Sequence, residues 1–133
     1  MSAIIGWLSA HYANWRGHLH ERFARARRWV RREWDRRRPA RRVVVIEGDM
    51  LPPSLPARDI VLLRDEGEDW SVGMRCPCGC GETIELMLLR QVKPRWDLVV
   101  DARDRPSLRP SVWRKTGCRS HFWLRDGRVA WCD

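Results

Sequence analysis

Two short cysteine-rich segments, far apart in the chain, constrain the fold more than any other feature of this sequence. The first is Cys76-Pro77-Cys78-Gly79-Cys80-Gly81 and the second is Cys118-Arg119-Ser120-His121. Four of the five cysteines and one of the four histidines lie in them. Thiolate is the preferred ligand of structural zinc, and such sites take four Cys or His ligands from two distant turns. The two segments therefore predict the halves of one metal site.

The first segment has to turn if its sulfurs are to share one ion. In extended backbone, side chains two residues apart lie roughly 6.5 Å from each other, whereas zinc holds each sulfur at about 2.3 Å. Gly79 and Gly81 permit a turn because glycine adopts positive φ without steric cost, and Pro77 fixes its own φ. We therefore expect a tight turn that presents its thiols to one point.

The predicted cofactor is a structural Zn²⁺ ion held by four cysteines: Cys76, Cys78, Cys80 and Cys118. His121 is a rival for one of the four positions, because the Cys118-x-x-His121 spacing matches half of a zinc knuckle. An alternative without metal is a group of buried free thiols, since cysteine is often a core residue. Cys132 is predicted to pack in a terminal hairpin.

The basic character of the chain is confined to its N-terminal part. The formal net charge is +9, and residues 1–42 hold twelve arginines against three acidic residues. Residues 43–133 hold fourteen basic and fourteen acidic residues and are therefore neutral overall. The cysteine-bearing region thus has no general attraction to polyanions, and nucleic acid is not its expected partner.

Apolar residues in the basic segment recur in steps of three and four: Ile4, Leu8, Tyr12, Trp15, Leu19, Phe23, Ala26, Val30 and Trp34. This period predicts a long amphipathic helix. It should end in the Arg36–Arg38 run before Pro39, because cations suit the C-terminal end of a helix dipole. Its apolar stripe has several possible partners, which are the C-terminal domain, a second copy of the helix, a membrane surface, or nucleic acid or an acidic protein.

After this segment the pattern changes to short strands, and we expect no further helix. The predicted strands are Arg42–Glu47, Ile60–Arg64, Trp70–Arg75, Glu82–Leu88, Trp96–Asp101, His121–Arg125 and Arg128–Cys132. An Asp126-Gly127 turn joins the last two strands in a hairpin. The predicted fold is mainly β, a small zinc-stapled antiparallel β domain at residues 43–133, preceded by a helix and linker at residues 1–42.

Four side chains are candidates for hydrolytic chemistry: Ser111, Ser120, His121 and Glu82. A serine nucleophile needs a neighbouring base, usually histidine, that is oriented by a third group. Ser120 and His121 are neighbours in sequence, so in a strand they point to opposite faces. Ser111 could instead return to His121 across a loop. The alternative is that this histidine only forms structural hydrogen bonds.

The cysteine count and the first residues of the chain predict a cytoplasmic location. Five cysteines is an odd number, and their arrangement suits metal better than disulfides, which favours a reducing compartment. Ile4-Ile5-Gly6-Trp7-Leu8 is apolar for far fewer residues than the about 20 that span a bilayer. It also lacks the basic leader and cleavage site of a signal peptide.

Three motifs together resemble a known bacterial family. They are Cys76-Pro77-Cys78-Gly79-Cys80-Gly81-Glu82, Arg109-Pro110-Ser111-Val112-Trp113, and Gly117-Cys118-Arg119-Ser120-His121-Phe122-Trp123 with the hairpin that follows. The pattern is similar to BubE, the small family found in operons for ubiquitin-like conjugation, the Bub (bacterial ubiquitination-like) systems. The resemblance covers residues 43–133 and leaves the basic helix outside.

The resemblance implies a serine-peptidase-like protein that trims or releases a ubiquitin-like modifier, in an antiphage operon with E1-like and E2-like enzymes. It supports Ser111, Ser120 and His121 as site residues and the four cysteines as the metal ligands, without deciding which serine attacks. We favour this peptidase. A zinc-ribbon-like adaptor, which binds a conjugation enzyme or the modifier through the Trp-rich hairpin, is the alternative. In a third hypothesis the helix binds a membrane or nucleic acid.

Overall fold

The computed structural model describes the backbone of residues 2–132 and the side chains of residues 16–132. Over these residues the chain forms one helix, α1 Ser2–Arg37, followed by nine strands. The strands are β1 Val43–Glu47, β2 Ile60–Asp65, β3 Glu68–Arg75, β4 Thr83–Met87, β5 Asp97–Val100, β6 Pro106–Arg109, β7 Val112–Trp113, β8 His121–Arg125 and β9 Arg128–Trp131. The predicted fold class, mainly β with one preceding helix, is confirmed.

Helix α1 ends at Arg37, within the predicted arginine run. Glu33 forms two ion pairs near this end, because its carboxylate lies 3.5 Å from Arg36 Nη1 and 3.4 Å from Arg37 Nε. These exposed pairs contribute only a few tenths of a kcal/mol, about 0.3–0.5 for a helical pair. The part of the predicted apolar stripe that precedes Arg16 lies outside the described side chains, and the partner of the stripe stays a prediction.

The chain divides into two compact units after Arg37. We call the unit that begins at Arg38 the β unit. The predicted domain boundary after Arg42 stays a prediction. Nowhere in the described part of the chain is there a helix with the length and hydrophobicity that a bilayer span requires.

The β unit contains three small sheets, ordered β1-β2-β3-β4, β5-β6 and β7-β8-β9. All strand pairs are antiparallel except β1 with β2, which run parallel. The sequence predicted an antiparallel β domain, and this parallel pair is its exception. Residues 48–59 explain the difference, because a parallel pair needs a crossover of about a dozen residues and this proline-rich loop supplies it.

Two strands, β6 and β7, were not predicted from the sequence. Strand β6 starts at Pro106, which has no N–H to donate, and β7 is two residues long. Neither segment shows enough alternation to predict a strand. They form because β5 and β8 offer them hydrogen-bonding partners, with Leu98 opposite Leu108 and Val112 opposite Phe122.

One hydrophobic core joins β2, β3 and β4 to β6, β7 and β8. Along β8 the side chains alternate, so Phe122 and Leu124 are fully buried while His121 and Trp123 are half-buried. Burying a side chain of this size contributes roughly 1.5–3 kcal/mol. The core therefore fixes which face of β8 points outward, and this outer face carries His121.

The β8–β9 hairpin turns at Asp126-Gly127, as predicted. Both residues have positive φ, 48° and 75°, as the tightest hairpin turns require. The Gly127 backbone is also held from outside the hairpin, because its carbonyl accepts from Arg41 N–H and its own N–H donates to the Pro106 carbonyl, both at 2.8 Å. The turn is thus anchored to β6 and to the segment before β1.

Candidate functional site

The structure brings the two cysteine-rich segments together. The sulfurs of Cys76, Cys78, Cys80 and Cys118, which we call the cysteine cluster, all lie within 4.8 Å of one another. Cys76 Sγ is 3.4 Å from Cys78 Sγ and 3.6 Å from Cys118 Sγ. Four sulfurs placed tetrahedrally about 2.3 Å from a zinc ion are about 3.8 Å apart. The cluster could therefore hold one metal ion with little rearrangement.

The first half of the cluster is a tight turn that follows β3. The Cys76 carbonyl accepts a hydrogen bond from Gly79 N–H at 3.1 Å, and Cys76 N–H donates to the Glu82 carbonyl at 2.9 Å. Gly79 and Gly81 both have φ of 84°, a region that other residues rarely adopt. The turn predicted from these glycines is confirmed.

The second half of the cluster is the loop between β7 and β8, where Gly117 and Arg119 have positive φ. The buried Ser120 side chain points toward the sulfurs, with Oγ 3.2 Å from Cys118 Sγ and 3.7 Å from Cys76 Sγ. Arg114 N–H donates to the Ser120 carbonyl at 2.8 Å and closes the loop. Ser120 therefore belongs to the surroundings of the cysteine cluster.

The thiols of the cluster differ in acidity. Burial raises the pKa of Cys76 to about 12, and burial also raises the pKa of Cys80. Burial works against the Cys118 thiolate as well, but hydrogen bonds from Ser120 and from the Cys76 and Cys78 thiols outweigh it and lower the Cys118 pKa to about 6. Four sulfurs this close together cannot all ionise unless a cation is present. This donor set fits a metal ion, which deprotonates the thiols that bind it.

A cation also lies beside the cluster. Arg114 Nη2 is 2.6 Å from Glu82 Oε2, and the arginine side chain is 19% exposed. Burial disfavours the charged guanidinium, but the Cys76 thiol, Glu82 and the Cys118 thiol outweigh it and raise the pKa of Arg114. Its Nη1 atom is buried and meets no acceptor with hydrogen-bond geometry. Thiolates bound to a metal ion would accept a hydrogen bond from this buried, unpaired donor. The residues present therefore fit such an ion.

Outside the cluster, Ser111 and His121 meet. Ser111 Oγ lies 2.9 Å from His121 Nε2. The sheet register explains this contact, because Trp113 pairs directly with His121 and Ser111, two residues before Trp113, points to the same side. The Trp113 ring stacks on the imidazole with 5.2 Å between centroids and an 18° interplanar angle, which restricts the orientation of the imidazole.

The predicted site residues thus fall into two groups on opposite faces of the β7-β8-β9 sheet. Ser111 and His121 are together on the outer face, and Ser120 lies with the cysteines on the inner face. The fourth candidate, Glu82, forms an ion pair with Arg114. His121 is not among the residues that could hold the metal ion.

A groove lined by residues of β5, β6 and β8 lies near the serine–histidine pair, although neither Ser111 nor His121 lines it. It has a volume of about 670 Å³, and its lining includes Pro110, next to Ser111, and Trp123, two residues beyond His121. We call it the Trp123 groove. Arg125 stacks over the Trp123 ring at 4.7 Å. A groove of this size is in the range that binds small ligands or short peptide segments.

Two residues of the site were missed in the sequence. Trp113 was not singled out in the sequence, and its side chain is 59% exposed because the register turns it outward beside His121. Arg114 gave no signal at all, since its ion pair with Glu82 joins residues that only the folded chain brings together. If β7 had been predicted, the spacing Ser111-x-Trp113 opposite His121 could have indicated that Trp113 lies beside the histidine.

A family model matches residues 47–132, and its description is bacterial ubiquitination-like system serine protease (BubE). Searches of curated proteins and of solved structures found no significant match. The name of the family suggests a serine protease of a bacterial ubiquitination-like system, with partners from that system. The matched region makes up more than half of the chain and includes both the serine–histidine pair and the cysteine cluster. By this match, and in agreement with the motifs of its sequence, the chain belongs to the BubE family.

Proposed function

We propose that this protein is a serine peptidase that trims or releases the ubiquitin-like modifier of its system, with Ser111 as nucleophile and His121 as general base. The observation that supports the proposal most is the 2.9 Å contact between Ser111 Oγ and His121 Nε2 on an accessible face. Ser120 is the weaker candidate, because its hydroxyl is buried among thiols.

The reaction would proceed in two steps. Ser111 Oγ attacks the scissile carbonyl carbon while His121 Nε2 takes its proton, and the peptide C–N bond breaks as His121 returns that proton to the leaving amine. Water then attacks the acyl-serine ester with His121 again as base, and the serine hydroxyl is restored. Both steps need the tautomer in which the ring proton is on Nδ1, so that Nε2 accepts.

The imidazole is oriented differently from that of a Ser-His-Asp triad. Among the side chains of residues 16–132, no carboxylate forms a hydrogen bond with His121, and the ring instead stacks on Trp113. Stacking fixes the plane of the ring but does not stabilise its positive charge as a carboxylate does. We therefore propose a serine–histidine dyad in which Trp113 is the positioning residue.

The Trp123 groove would bind the peptide segment beside the scissile bond. Pro110, which precedes Ser111, lines this groove, so an extended chain lying along Trp123 would have its reacting carbonyl near Ser111. This arrangement suits the flexible tail of a ubiquitin-like protein, because an extended segment can enter a groove that a folded domain cannot. The modifier is accordingly the proposed partner.

The metal in this proposal is a structural Zn²⁺ ion held by the cysteine cluster. With four protein ligands it would have no open coordination position, so it takes no part in peptide cleavage. Its contribution is to fix the loop that precedes β8 and therefore the backbone of His121. A reducing cytoplasm, which keeps the thiols free to bind metal, is the compartment that the proposal implies.

The test is to incubate the protein with the precursor of its cognate modifier and follow the product by mass. Ser111→Ala and His121→Ala should each lower cleavage by about 10³-fold or more. Ser120→Ala is the matched control and should retain most of the activity. A fluorophosphonate probe should label Ser111 alone. Loss of cleavage in Ser120→Ala with full activity in Ser111→Ala would make Ser120 the nucleophile and Ser111 the supporting residue. No cleavage by the wild-type protein would disprove the proposal.

The exposed Trp113 ring also supports a second candidate, a non-catalytic adaptor. Exposed tryptophans are enriched at the centres of protein interfaces, and Lys115 lies over the same ring at 5.6 Å. An adaptor would bind the modifier or a conjugation enzyme with equal affinity in the wild-type protein and in Ser111→Ala. It would lose that binding in Trp113→Ala and when Cys78 or Cys118 is changed.

A further inference from the structure

We infer that Arg114, held by Glu82, is a positioning residue of the metal centre: its Nη1 donates a hydrogen bond to the thiolates that bind the metal, and its charge offsets theirs. The inference rests on the zinc site proposed above. It also gives Glu82 a role other than catalysis.

The side chain of Arg114 is fixed at one end of its guanidinium. Nη2 lies 2.6 Å from Glu82 Oε2, and Arg114 N–H holds the Ser120 carbonyl at 2.8 Å. Glu82 itself lies against the second cysteine turn, because a Cβ on Gly117 would come within 3.3 Å of Oε2. The ion pair therefore spans from the first cysteine turn, where Glu82 follows Gly81, to the second.

The other end of the guanidinium, Nη1, has no hydrogen-bond partner. Nη1 is buried and meets no acceptor, although an arginine that reaches a protein interior usually satisfies its five donors. The cysteine thiols lie close to the guanidinium, since Cys76 and Cys118, together with Glu82, are the groups that raise the pKa of Arg114. Neutral thiols are weak acceptors, whereas thiolates are strong ones, so the unpaired donor gains an acceptor when metal deprotonates the cluster.

Charge gives an independent reason for the same assignment. Four thiolates around a divalent zinc ion leave two uncompensated negative charges in a partly buried site. Arginine stays protonated at any ordinary pH and is less strongly hydrated than lysine, which makes it the better cation for such a place. One neutral donor is already present, because Cys80 N–H donates to Cys78 Sγ at 3.3 Å.

The same residue connects the metal centre to the reactive face. Arg114 directly follows Trp113, whose ring stacks on His121. A loss of Arg114 should therefore weaken metal binding first, and affect the imidazole only through the position of β7. This order separates a role at the metal from a role in catalysis.

The experiment measures zinc affinity of the full chain by competition with a chromophoric chelator, and it needs no activity. Arg114→Gln should weaken zinc binding by about 10–100-fold, the usual effect of losing a group that hydrogen-bonds to metal ligands. Glu82→Gln should weaken it less, and Arg114→Lys should lie between the wild type and Arg114→Gln. The matched control is Arg75→Gln, which removes an exposed arginine next to Cys76 and should leave the affinity unchanged.

Cobalt provides a readout that general destabilisation would not produce. In the Co²⁺-loaded protein, the thiolate-to-cobalt charge-transfer band should shift in Arg114→Gln, because a hydrogen bond to sulfur lowers the energy of its lone pairs. Equal zinc affinities and identical cobalt spectra for wild type and Arg114→Gln would disprove the role of Arg114. The proposed metal site would not be affected by that result. A wild-type protein that binds no zinc would instead remove the metal site itself. If Arg114→Gln does not fold, the Lys and Glu82 variants provide the same comparison.

Discussion

At the scale of single residues, the two serines of the candidate site have different environments. Ser111 Oγ contacts an imidazole on the outer face, whereas Ser120 Oγ lies between the sulfurs of Cys118 and Cys76. A hydroxyl beside thiolates donates to them and lowers their pKa. A hydroxyl beside a neutral imidazole loses its proton to it during attack. The environment, not the residue type, therefore separates the proposed nucleophile Ser111 from Ser120.

Cys118 should be the most reactive thiol of the cluster in metal-free, reduced protein. With a pKa of about 6 it is about nine-tenths thiolate at pH 7, and the thiolate is the species that alkylates. Cys80 is more exposed, but burial raises its pKa. Iodoacetamide at pH 7 should therefore modify Cys118 before Cys80, as read by peptide mass spectrometry.

The rate at Cys118 should fall as the pH is lowered through about 6, because protonation removes the thiolate. Saturating zinc should protect all four thiols, with Cys132 outside the cluster as the internal control. Modification of Cys80 ahead of Cys118 would contradict the assigned acidity.

At the scale of elements, the hairpin turn of β8 and β9 is locked by its contact with the segment before β1. Gly127 is buried, and a Cβ at this position would overlap the Arg41 carbonyl oxygen. Gly67 has the same φ, 78° against 75°, but open space around it. The two glycines therefore separate backbone strain from steric contact.

Gly127→Ala should be much more destabilising than Gly67→Ala. Each substitution forces a side chain into positive φ, which costs on the order of 1 kcal/mol. Gly127→Ala must also displace backbone, so we expect a total loss of about 3 kcal/mol or more in the free energy of unfolding. Urea denaturation at equilibrium measures both, and equal losses would show that the Arg41 contact gives way freely.

Strand β7 is short, and the Trp113 side chain on it is mostly exposed. In the proposed site this side chain orients the His121 imidazole and adds little to the hydrophobic core. Trp113→Ala should lower kcat/KM by about tenfold, since a base that loses its stacking partner samples unproductive orientations. The free energy of unfolding should change by less than about 1 kcal/mol, as expected of a mostly exposed side chain.

Trp113→Phe keeps an aromatic face on the imidazole and should retain most of the activity. These two variants are compared in the modifier-cleavage assay and by urea denaturation. Full activity in Trp113→Ala would show that the imidazole needs no stacking partner.

At the scale of the whole molecule, the β unit is small and its strands form three short sheets. Domains of this size bury only a modest core, so a disulfide or a bound metal would add substantially to their stability. All five cysteines are free, and the staple that we propose is a metal ion in the cysteine cluster. An ion in the cysteine cluster would join turns that lie 42 residues apart in the chain, between the β3–β4 connection and the loop before β8.

Removing that metal should lower stability strongly. A chelator should reduce the melting temperature by more than about 10 °C, because a loss of 1 kcal/mol shifts a domain of this size by about 4–8 °C and metal binding is coupled to folding. Cys118→Ser should melt at the chelated temperature and respond no further to chelator. Cys132→Ser is the control and should behave like the wild type. An unchanged melting temperature after verified metal removal would contradict the staple.

The β unit should fold without α1. Every side chain of the hydrophobic core lies between Val43 and Trp131, so a chain that begins at Arg38 retains the whole core. We expect its thermal transition to remain cooperative and within a few degrees of that of the full chain. Co-sedimentation of both chains with anionic vesicles and with DNA across a salt series then shows what α1 binds. Loss of the cooperative transition would mean that the β unit depends on the helix.

Much of this protein could be read from local patterns in its sequence. The cysteine spacing predicts the cluster, the glycines between the cysteines predict its turn, and the Asp126-Gly127 pair predicts the hairpin. Steps of three and four predict α1. These features follow from the sequence because each depends on the sterics of neighbouring residues or on ligand chemistry, which any fold has to respect.

The tertiary structure decided the rest. Which serine meets His121 depends on the register between β7 and β8, and a shift by one residue would turn every side chain to the other face. The same holds for the ion pair of Arg114 with Glu82 and for the parallel pairing of β1 with β2. Both join residues that no local sequence pattern connects. Such contacts are chosen by the packing of one shared core, because burying Phe122 and Leu124 on the inside leaves the outer face to Ser111 and His121.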